Sequence, residues 1–218
     1  MRVAQSVKWE VRGVAGVSVP VPGDRPHSPE EELYNLADQY DSEGQSGKAR
    51  EVLKQLLSRN PRHADGWYLL GRIAEQEDRL NEAAEAYRGA ITADPSLVDA
   101  HFNLGFVYRS QGKPVEALEE FQQMVRLNPA YAEAHMNLGL VYTALRKLDE
   151  AERALARAIA LKPTLLEAHY NLGILYELHR KEPVKALGPY RRYLELGGRD
   201  ERVERIVRDV GKRRDGIP

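Results

Sequence analysis

The sequence repeats itself every 34 residues over most of its length. Closing prolines, each preceded by Asn, Asp or Lys, recur at this interval: Pro61, Pro95, Pro129 and Pro163. A glycine row and an alanine row keep the same register: Gly71, Gly105, Gly139, Gly173, and Ala49, Ala83, Ala117, Ala151. Several residue types in one register exclude a chance match. Such a period is typical of supersecondary units that stack on their neighbours and share a continuous core.

Each unit predicts two helices joined by a short turn. In the unit that begins at Val98, apolar residues keep helical spacing as far as Tyr108. Gln111-Gly112-Lys113 interrupts the pattern, and Pro114 suits the first turn of a second helix, where its missing N–H needs no partner. That helix ends before Asn128-Pro129. We expect the glycine of the first helix to face the alanine of the second, so that the two backbones approach closely.

The composition narrows the functional classes. The chain has 218 residues, with Lys plus Arg 32, Asp plus Glu 33 and a formal net charge of -1. This balance argues against nucleic acid as a partner, because phosphate binding needs a basic surplus. The chain has no cysteine, which excludes disulfides and thiol nucleophiles. No apolar run approaches the roughly 18 residues that span a bilayer, and Glu10 and Arg12 interrupt any signal-peptide core. We therefore expect a cytoplasmic protein without membrane insertion.

The repeated motif resembles the tetratricopeptide repeat (TPR). The period, the run aromatic-x-x-Leu-Gly-x-x-Tyr, the alanine, the second aromatic and the closing proline are the pattern of that family. The segment Trp67-x-x-Leu70-Gly71 has the first half of the run, with Ala74 in place of the tyrosine. The resemblance implies an all-α fold, a right-handed superhelical α-solenoid of helix-turn-helix repeats. It also implies protein binding as the role, with no cofactor.

The register divides the chain into three parts. Residues 1–29 precede the repeats, and the alternation of Val7, Trp9 and Val11 with polar residues predicts a strand-like segment followed by an extended linker. An apolar stripe in residues 199–218 predicts a capping helix over the last repeat, followed by a loose basic tail at Lys212-Arg213-Arg214. Five repeats are expected between these ends, at residues 30–63, 64–97, 98–131, 132–165 and 166–198.

Two places predict local irregularities. Ser28-Pro29-Glu30-Glu31 indicates a helix N-cap, a proline at the first helical position and a capping box. In the fifth repeat, the segment 176–186 is one residue longer than its counterpart 108–117, so its turn carries an insertion. Gly188-Pro189 then falls inside the second helix, where a proline is costly, and predicts a kink or a delayed helix start.

Counted from each repeat start, positions two, five, six, nine and twelve are expected to face the concave surface. Position six forms an asparagine row that Leu69 interrupts: Asn35, Leu69, Asn103, Asn137, Asn171. Because an amide carries both a donor and an acceptor, asparagines one repeat apart can pair with the backbone of an extended peptide. This resembles the asparagine ladder of the O-linked N-acetylglucosamine transferase repeats. The alternative is local hydrogen bonding within the groove wall.

The neighbouring positions predict side-chain pockets. At position five, tyrosines are expected to offer hydroxyls to a ligand, whereas Phe102 and Met136 are expected to pack between repeats. Position nine contributes apolar side chains in the last three repeats. The candidate peptide-binding residues are therefore Asn103, Asn137, Asn171, Asn35, Tyr34, Tyr68, Tyr170, Phe106, Leu140 and Ile174.

Charged and metal-ligating residue types have structural explanations. Acidic residues at position two fall in the first turn of each first helix, where the dipole favours negative charge; the alternative is an acidic rim that favours a basic ligand. His101, His135 and His169 stand one repeat apart at position four. A shared zinc would need every ligand about 2 Å away, but stacked helices are about 8–10 Å apart. We therefore expect no metal site, and interpret the rings as replacements for the aromatic of the repeat.

The sequence features lead to three functional hypotheses: an adaptor, a self-associating scaffold and an enzyme. The leading hypothesis is a non-enzymatic adaptor that binds a protein or peptide segment, with a basic segment favoured by the net acidity of the repeats. The carboxylate clamp of some TPR proteins is absent, since the matching positions hold Tyr34, Asp38, Asp99 and Asn103. The alternative is a self-associating scaffold, a homo-oligomer whose residues 1–29 occupy its own or a neighbour's groove. An enzyme is disfavoured, because no phosphate loop, zincin motif or nucleophile setting is present.

Overall fold

Helices make up nearly all of the described chain. The computed structural model describes residues 28–214, with side chains as far as residue 211; the strand-like segment predicted around Trp9 lies outside this range. The described part contains eleven α-helices and no strand. The helices are α1 (Pro29–Ser42), α2 (Ser46–Arg59), α3 (Ala64–Gln76), α4 (Leu80–Ala93), α5 (Val98–Ser110), α6 (Pro114–Leu127), α7 (Ala132–Ala144), α8 (Leu148–Leu161), α9 (Leu166–Ile174), α10 (Pro183–Glu195) and α11 (Glu201–Arg214).

Consecutive helices pack in pairs, and each pair stacks on the next. The pairs are α1 with α2, α3 with α4, α5 with α6, α7 with α8, and α9 with α10, and α11 packs on α10. Contacts between successive first helices, such as α1 with α3 and α7 with α9, place those helices along one face. The predicted all-α solenoid is therefore confirmed.

The first helix begins at the predicted capping box. The Ser28 hydroxyl accepts from the Glu31 amide at 3.1 Å, and the Glu31 carboxylate accepts from the Ser28 amide at 2.8 Å. Pro29 occupies the first helical position. This box satisfies N–H groups that have no partner inside the helix, and therefore fixes where α1 starts.

One left-handed residue stands in the turn inside every pair. These residues have φ between 57° and 71°, and they are Gly44, Asp78, Gly112, Arg146 and Lys181. The first four are spaced by the repeat period, and the last is one residue late. The turn therefore demands a left-handed backbone in each repeat, although only two of the five residues are glycine, which adopts it without steric cost.

A π-helical turn absorbs the insertion predicted in the fifth repeat. This turn covers Leu175–His179, and a π-turn accommodates one residue more than an α-turn. The Glu182 amide donates to the Tyr176 carbonyl at 2.8 Å. The equivalent bond in the third repeat, from the Lys113 amide to the Tyr108 carbonyl at 2.9 Å, spans one residue fewer. The second helix of the repeat therefore keeps its register.

The C-terminal end differs from expectation at two places. The helix α10 begins at Pro183 and continues through Pro189, so the delayed start, one of the two expected alternatives, does not occur. Pro189 removes only the N–H that would bond to Lys185, whose exposed position lets water satisfy the carbonyl. The helix α11 extends to Arg214, so the basic residues Lys212, Arg213 and Arg214 are helical and do not form the expected loose tail. Val203 in α11 is fully buried and packs against the last pair.

In the second to fifth pairs, the glycine of the first helix packs tightly against a large side chain of the second. A Cβ added at Gly71 would lie 2.5 Å from Tyr87, and one added at Gly105 would lie 2.9 Å from Phe121. The large side chain, rather than the alanine of the second helix, therefore makes the nearest contact; at Gly139 the added Cβ would also lie 3.4 Å from the Ala151 carbonyl oxygen, as expected for a glycine that faces the alanine row. Side chains on a helix lean toward its N-terminus, so the residue one turn after Ala83, which is Tyr87, covers the glycine.

Candidate peptide-binding groove

Side-chain hydrogen bonds link successive first helices along one face. They join Arg72 to Asp41 at 3.1 Å, Asn103 to Tyr68 at 3.2 Å, and Arg109 to Asn137 at 2.8 Å. All six residues stand at the inward positions five, six, nine or twelve, and each bond joins two adjacent repeats. These positions therefore share a surface, which we call the groove.

Asn103 is oriented by two tyrosine hydroxyls. Tyr87 donates its proton to Glu75 Oε2 at 2.7 Å, so its oxygen is left to accept from Asn103 Nδ2 at 3.3 Å. Tyr68 accepts from the same nitrogen at 3.2 Å. Burial, together with the hydrogen bond to Glu75, raises the Tyr87 pKa, so the donor keeps its proton. The arrangement points the Asn103 Oδ1 away from the tyrosines, and within residues 28–211 this oxygen accepts no hydrogen bond.

Asn137 has internal partners at both ends of its amide. Its side chain is 3% exposed. Its Nδ2 donates to the Glu133 carbonyl at 2.8 Å, and its Oδ1 accepts from Arg109 Nη1 at 2.8 Å. In this arrangement Asn137 belongs to the groove wall, and it holds the Arg109 guanidinium in place.

Asn171 and Asn35 make no side-chain hydrogen bond within the described part of the chain. Asn35 is exposed and Asn171 is partly buried. Asn171 lines a concave pocket of about 300 Å³ together with Leu166, Glu167, Tyr170, Tyr193 and Asp200. Its amide therefore has both its donors and its acceptor available in a site that also offers aromatic surface.

A second pocket lies between the second and third repeats. It has a volume of about 520 Å³ and is lined by Tyr68, Arg72, Glu75, Gln76 and Asn103. Both pockets are lined by a tyrosine of position five and an asparagine of position six. A tyrosine and a glutamate also recur near each of them, because Glu177 and Tyr190 in the fifth repeat match Glu75 and Tyr87 in the second. Tyr190 donates to Glu177 as Tyr87 does to Glu75. In the fifth repeat, the next hydrogen-bond partners come from α11 and from the residue before it: Asp200 accepts from Tyr170 at 3.3 Å, and Arg202 donates to Glu177 at 2.7 Å.

The remaining candidate residues differ in exposure. Tyr34 stacks on His63 with ring centroids 5.4 Å apart, and burial followed by nearby Asp65 and Asp38 raises its pKa. Phe106 is 38% exposed, while Leu140 and Ile174 are partly buried. Position nine of the last three repeats therefore adds apolar surface to the groove at Phe106, Leu140 and Ile174.

Phe102 and Met136 pack between repeats. Phe102 contacts Phe121 of its own repeat edge-on with ring centroids 6.4 Å apart, and it packs against a buried cluster that includes Leu138 of the fourth repeat. Met136 packs against two buried clusters of the fourth and fifth repeats. Position five therefore separates into partly exposed tyrosines at the two pockets and apolar packing residues between them.

The histidine row makes a structural hydrogen bond. Each ring places Nε2 within 3.0–3.1 Å of the carbonyl of the closing proline six residues earlier, as seen for His101, His135 and His169. Trp67 donates its indole N–H to Pro61 in the same way at 2.9 Å. Position four therefore supplies a ring nitrogen that hydrogen-bonds to the carbonyl of the preceding closing proline. Over residues 28–211, no three His, Asp or Glu side chains converge as a metal site would require.

The acidic residues at position two stand in the first turns of their helices. Asp65, Asp99, Glu133 and Glu167 all do so, where the helix dipole stabilises them. Glu133 also pairs with Lys162 at 2.6 Å, and this hydrogen bond lowers the pKa of the Glu133 carboxyl. A structural role therefore accounts for this row, while its charge also borders the groove.

A family model described as tetratricopeptide repeat matches residues 34–98, 83–132, 102–165 and 144–201. The chain belongs to the tetratricopeptide repeat family. The fold is that of a protein-interaction module, as is general for TPR proteins. None of the described helices combines the length and the apolar character needed to cross a bilayer.

Solved TPR structures share this architecture. The crystal structure of MamA has a TM-score of 0.72 at 24% identity, covering 77% of this chain and 91% of MamA. YrrB, a TPR protein with an unusual peptide-binding site, has a TM-score of 0.70 at 23% identity, with coverages of 83% and 90%. PilF of Pseudomonas aeruginosa has a TM-score of 0.69 at 22% identity, with coverages of 85% and 86%. These likenesses show the fold alone. No curated protein matches the sequence.

The sequence-based site omitted three residues that shape the groove. Glu75 and Tyr87 orient Asn103, and Arg109 is bonded to Asn137. The signal for two of them was present at position twelve, which runs Asp41, Glu75, Arg109, Thr143, Glu177. The change of sign at Arg109 marks it within that row. Tyr87 gave no such signal, because its position is the packing aromatic of the repeat.

Proposed function

We propose that the groove binds an extended peptide segment of a partner protein and has no catalytic role. The observation that carries this proposal is the orientation of Asn103. Its Nδ2 is occupied by Tyr68 and Tyr87 at 3.2 and 3.3 Å, which leaves Oδ1 as a fixed acceptor for a peptide N–H. A donor or acceptor that is already oriented loses little conformational entropy when a ligand binds.

The second pocket supports the same function. There Asn171 has an unoccupied amide beside the ring of Tyr170. Asparagines at position six thus offer backbone contacts at two separate places, and the tyrosines beside them offer amphipathic surface that suits binding sites. The side chains of Phe106, Leu140 and Ile174 add apolar surface at position nine of the third to fifth repeats.

The charges along the groove favour a basic segment. Glu75 borders the pocket at Asn103, while Glu167 and Asp200 border the pocket at Asn171. Lysine or arginine side chains of a ligand complement these carboxylates, and such complementarity chiefly selects the partner and speeds association. YrrB, which has a peptide-binding site, offers an analogy on the same fold.

The proposal is tested by affinity capture from the source cell followed by quantitative binding of the captured partner. Asn103→Ala and Asn171→Ala should each weaken binding by about twofold to tenfold, the value of one hydrogen bond. Gln55→Ala, which removes an exposed amide on α2, is the matched control. Equal affinity in the double asparagine variant and the wild type would contradict a groove site.

The same capture separates the self-associating scaffold from the adaptor. If only the chain itself is recovered, and deletion of residues 1–27 changes its oligomeric state, the self-associating scaffold is favoured over the peptide-binding adaptor. Recovery of a partner that the double variant loses would support the adaptor.

A further inference from the structure

Arg109 is a groove arginine with no carboxylate partner in the described part of the chain. Its Nη1 donates to Asn137 Oδ1 at 2.8 Å, and its guanidinium carbon lies 4.8 Å from the centre of the Phe106 ring. Other arginines of this face are paired: Arg72 with Asp41 at 3.1 Å, and Arg202 with Glu177 at 2.7 Å. Burial lowers the pKa of Arg109, and no neighbouring carboxylate offsets that effect.

Arg109 carries the opposite charge to the residues at the same position of the second and fifth repeats. At position twelve the second and fifth repeats carry Glu75 and Glu177, and each carboxylate accepts a hydrogen bond from a tyrosine of its own second helix. In the third repeat the matching ring is Phe121, which has no hydroxyl. The tyrosine–glutamate pair therefore cannot form there, and the side chain at position twelve carries the opposite charge.

The Arg109 guanidinium is fixed before any ligand arrives. Asn137 is itself held, because its Nδ2 bonds to the Glu133 carbonyl at 2.8 Å, and the Phe106 ring supports the guanidinium plane. A guanidinium has five N–H donors, of which Asn137 uses one. The others match the two oxygens of a carboxylate, and such charge-assisted bonds are about twice as strong as neutral ones.

We propose that Arg109 binds the carboxylate of an Asp or Glu inside the partner's peptide segment, with basic residues on both sides of it; this rests on the proposed function. Arg109 lies in the third of five helix pairs, between the pocket at Asn103 and the pocket at Asn171. A peptide that ended at Arg109 would leave one pocket empty, whereas an internal acidic residue lets the segment reach both. The carboxylates at the two pockets then meet the flanking basic residues.

The test is selection of a random 12-residue peptide library displayed on phage with its C-terminus fused to the coat protein, so that no free terminal carboxylate is present. The full chain is used as wild type, Arg109→Gln and Arg153→Gln, the last an exposed arginine on α8 that serves as the control. Wild type and control should select peptides with one fixed Asp or Glu, and Arg109→Gln should not. Replacing that residue by Asn or Gln in a synthetic binder should weaken wild-type binding about tenfold and leave Arg109→Gln binding unchanged.

Two results would overturn the inference. Binders that depend on Asn103 and Asn171 but carry no fixed acidic residue would remove the role of Arg109 and leave the groove proposal standing. If no groove-dependent binder is selected, the proposed function fails, and an NMR titration decides the Arg109 site by itself. There the Arg109 Nε–Hε resonance should shift with Ac-Ala-Glu-Ala-NH2 and not with Ac-Ala-Gln-Ala-NH2. An equal response to both peptides, or none, overturns the carboxylate site; Arg109→Lys, which keeps the charge but loses the planar fork, should respond more weakly.

Discussion

Tyr87 donates its hydroxyl proton to Glu75 across 2.7 Å. Because that proton is committed, the same oxygen can only accept from Asn103, and the polarity of one buried pair thereby sets the direction of a groove amide in the next repeat. The packing aromatic of the repeat thus acquires a second role, as a positioning residue for a ligand contact.

Removing the Tyr87 hydroxyl should lower the affinity of the groove for a peptide, although Tyr87 is buried and makes no contact with the peptide itself. We expect Tyr87→Phe to lower the free energy of unfolding by about 1–2 kcal/mol, the cost of leaving a buried partner unpaired. Affinity for a groove peptide should fall about twofold to tenfold, because the Asn103 amide loses its fixed orientation. Tyr142→Phe, which removes only the 3.3 Å bond from Gln122, is the control. Unfolding by denaturant and isothermal calorimetry measure the two effects, and unchanged affinity in Tyr87→Phe would refute the coupling.

The His101–Glu120 pair should make stability depend on pH. His101 is 5% exposed; burial opposes its charged form, but the bond to Glu120 at 2.7 Å and the bond to the Pro95 carbonyl outweigh burial and raise the pKa above 6.5. Both ring nitrogens face acceptors, so only the doubly protonated ring satisfies both. The stabilisation is therefore full below about pH 6.5, the unfolded value, and is lost as pH rises through the folded pKa.

Glu120→Gln should remove this dependence. The loss in unfolding free energy relative to the wild type should be larger at pH 5.5 than at pH 8.5, because only the charged ring needs the carboxylate. His135→Gln is a suitable comparison, since its ring bonds to Pro129 at 3.0 Å and the residue matching Glu120 in that repeat is Ala154. A difference for Glu120→Gln that is the same at both pH values would argue against a charged His101.

The left-handed turn residues should respond in opposite directions to exchange with glycine. Lys181 has φ 61°, a conformation that costs a residue with a side chain about 1–2 kcal/mol, so Lys181→Gly should raise stability by up to about 1 kcal/mol. Gly112 has φ 69° and open space around it, so Gly112→Ala should lower stability by a similar amount through the backbone alone. Thermal unfolding of both variants tests this. Destabilisation by Lys181→Gly would mean that its side chain makes a larger contribution than the backbone strain.

A methyl group at the glycine row should overpack the core. Gly71→Ala would bring a Cβ within 2.5 Å of the fully buried Tyr87 ring, and overpacking of this kind costs about 1–3 kcal/mol. Gly47→Ala adds the same atom in α2 with no neighbour within 4 Å, and should leave stability unchanged or raise it. Equal melting temperatures for Gly71→Ala and the wild type would show that the ring can move aside.

Most of the fold could be predicted because its signals are local. The capping box at Ser28, the turns and the closing prolines act within a few residues, and the fixed period then repeats the same solution. The prediction was incomplete where a side chain of the second helix decides the nearest contact, as at Gly71, which is covered by Tyr87, one turn after the alanine. The insertion in the fifth repeat was visible, but its form as a π-helical turn depends on how α9 and α10 pack.

The candidate site divides in the same way. Asn103, Asn137 and Asn171 are the same residue at the same repeat position. Their common face could be predicted from the sequence alone, because helical periodicity fixes the direction of a side chain. Their hydrogen-bond partners could not, because these depend on tertiary packing. Asn103 is oriented by Tyr68 and Tyr87, Asn137 is buried under Arg109, and Asn171 stays unpaired beside a pocket. The reason is that hydrogen bonds form with whatever side chains the adjacent repeats and α11 bring within about 3 Å, and those neighbours differ from repeat to repeat.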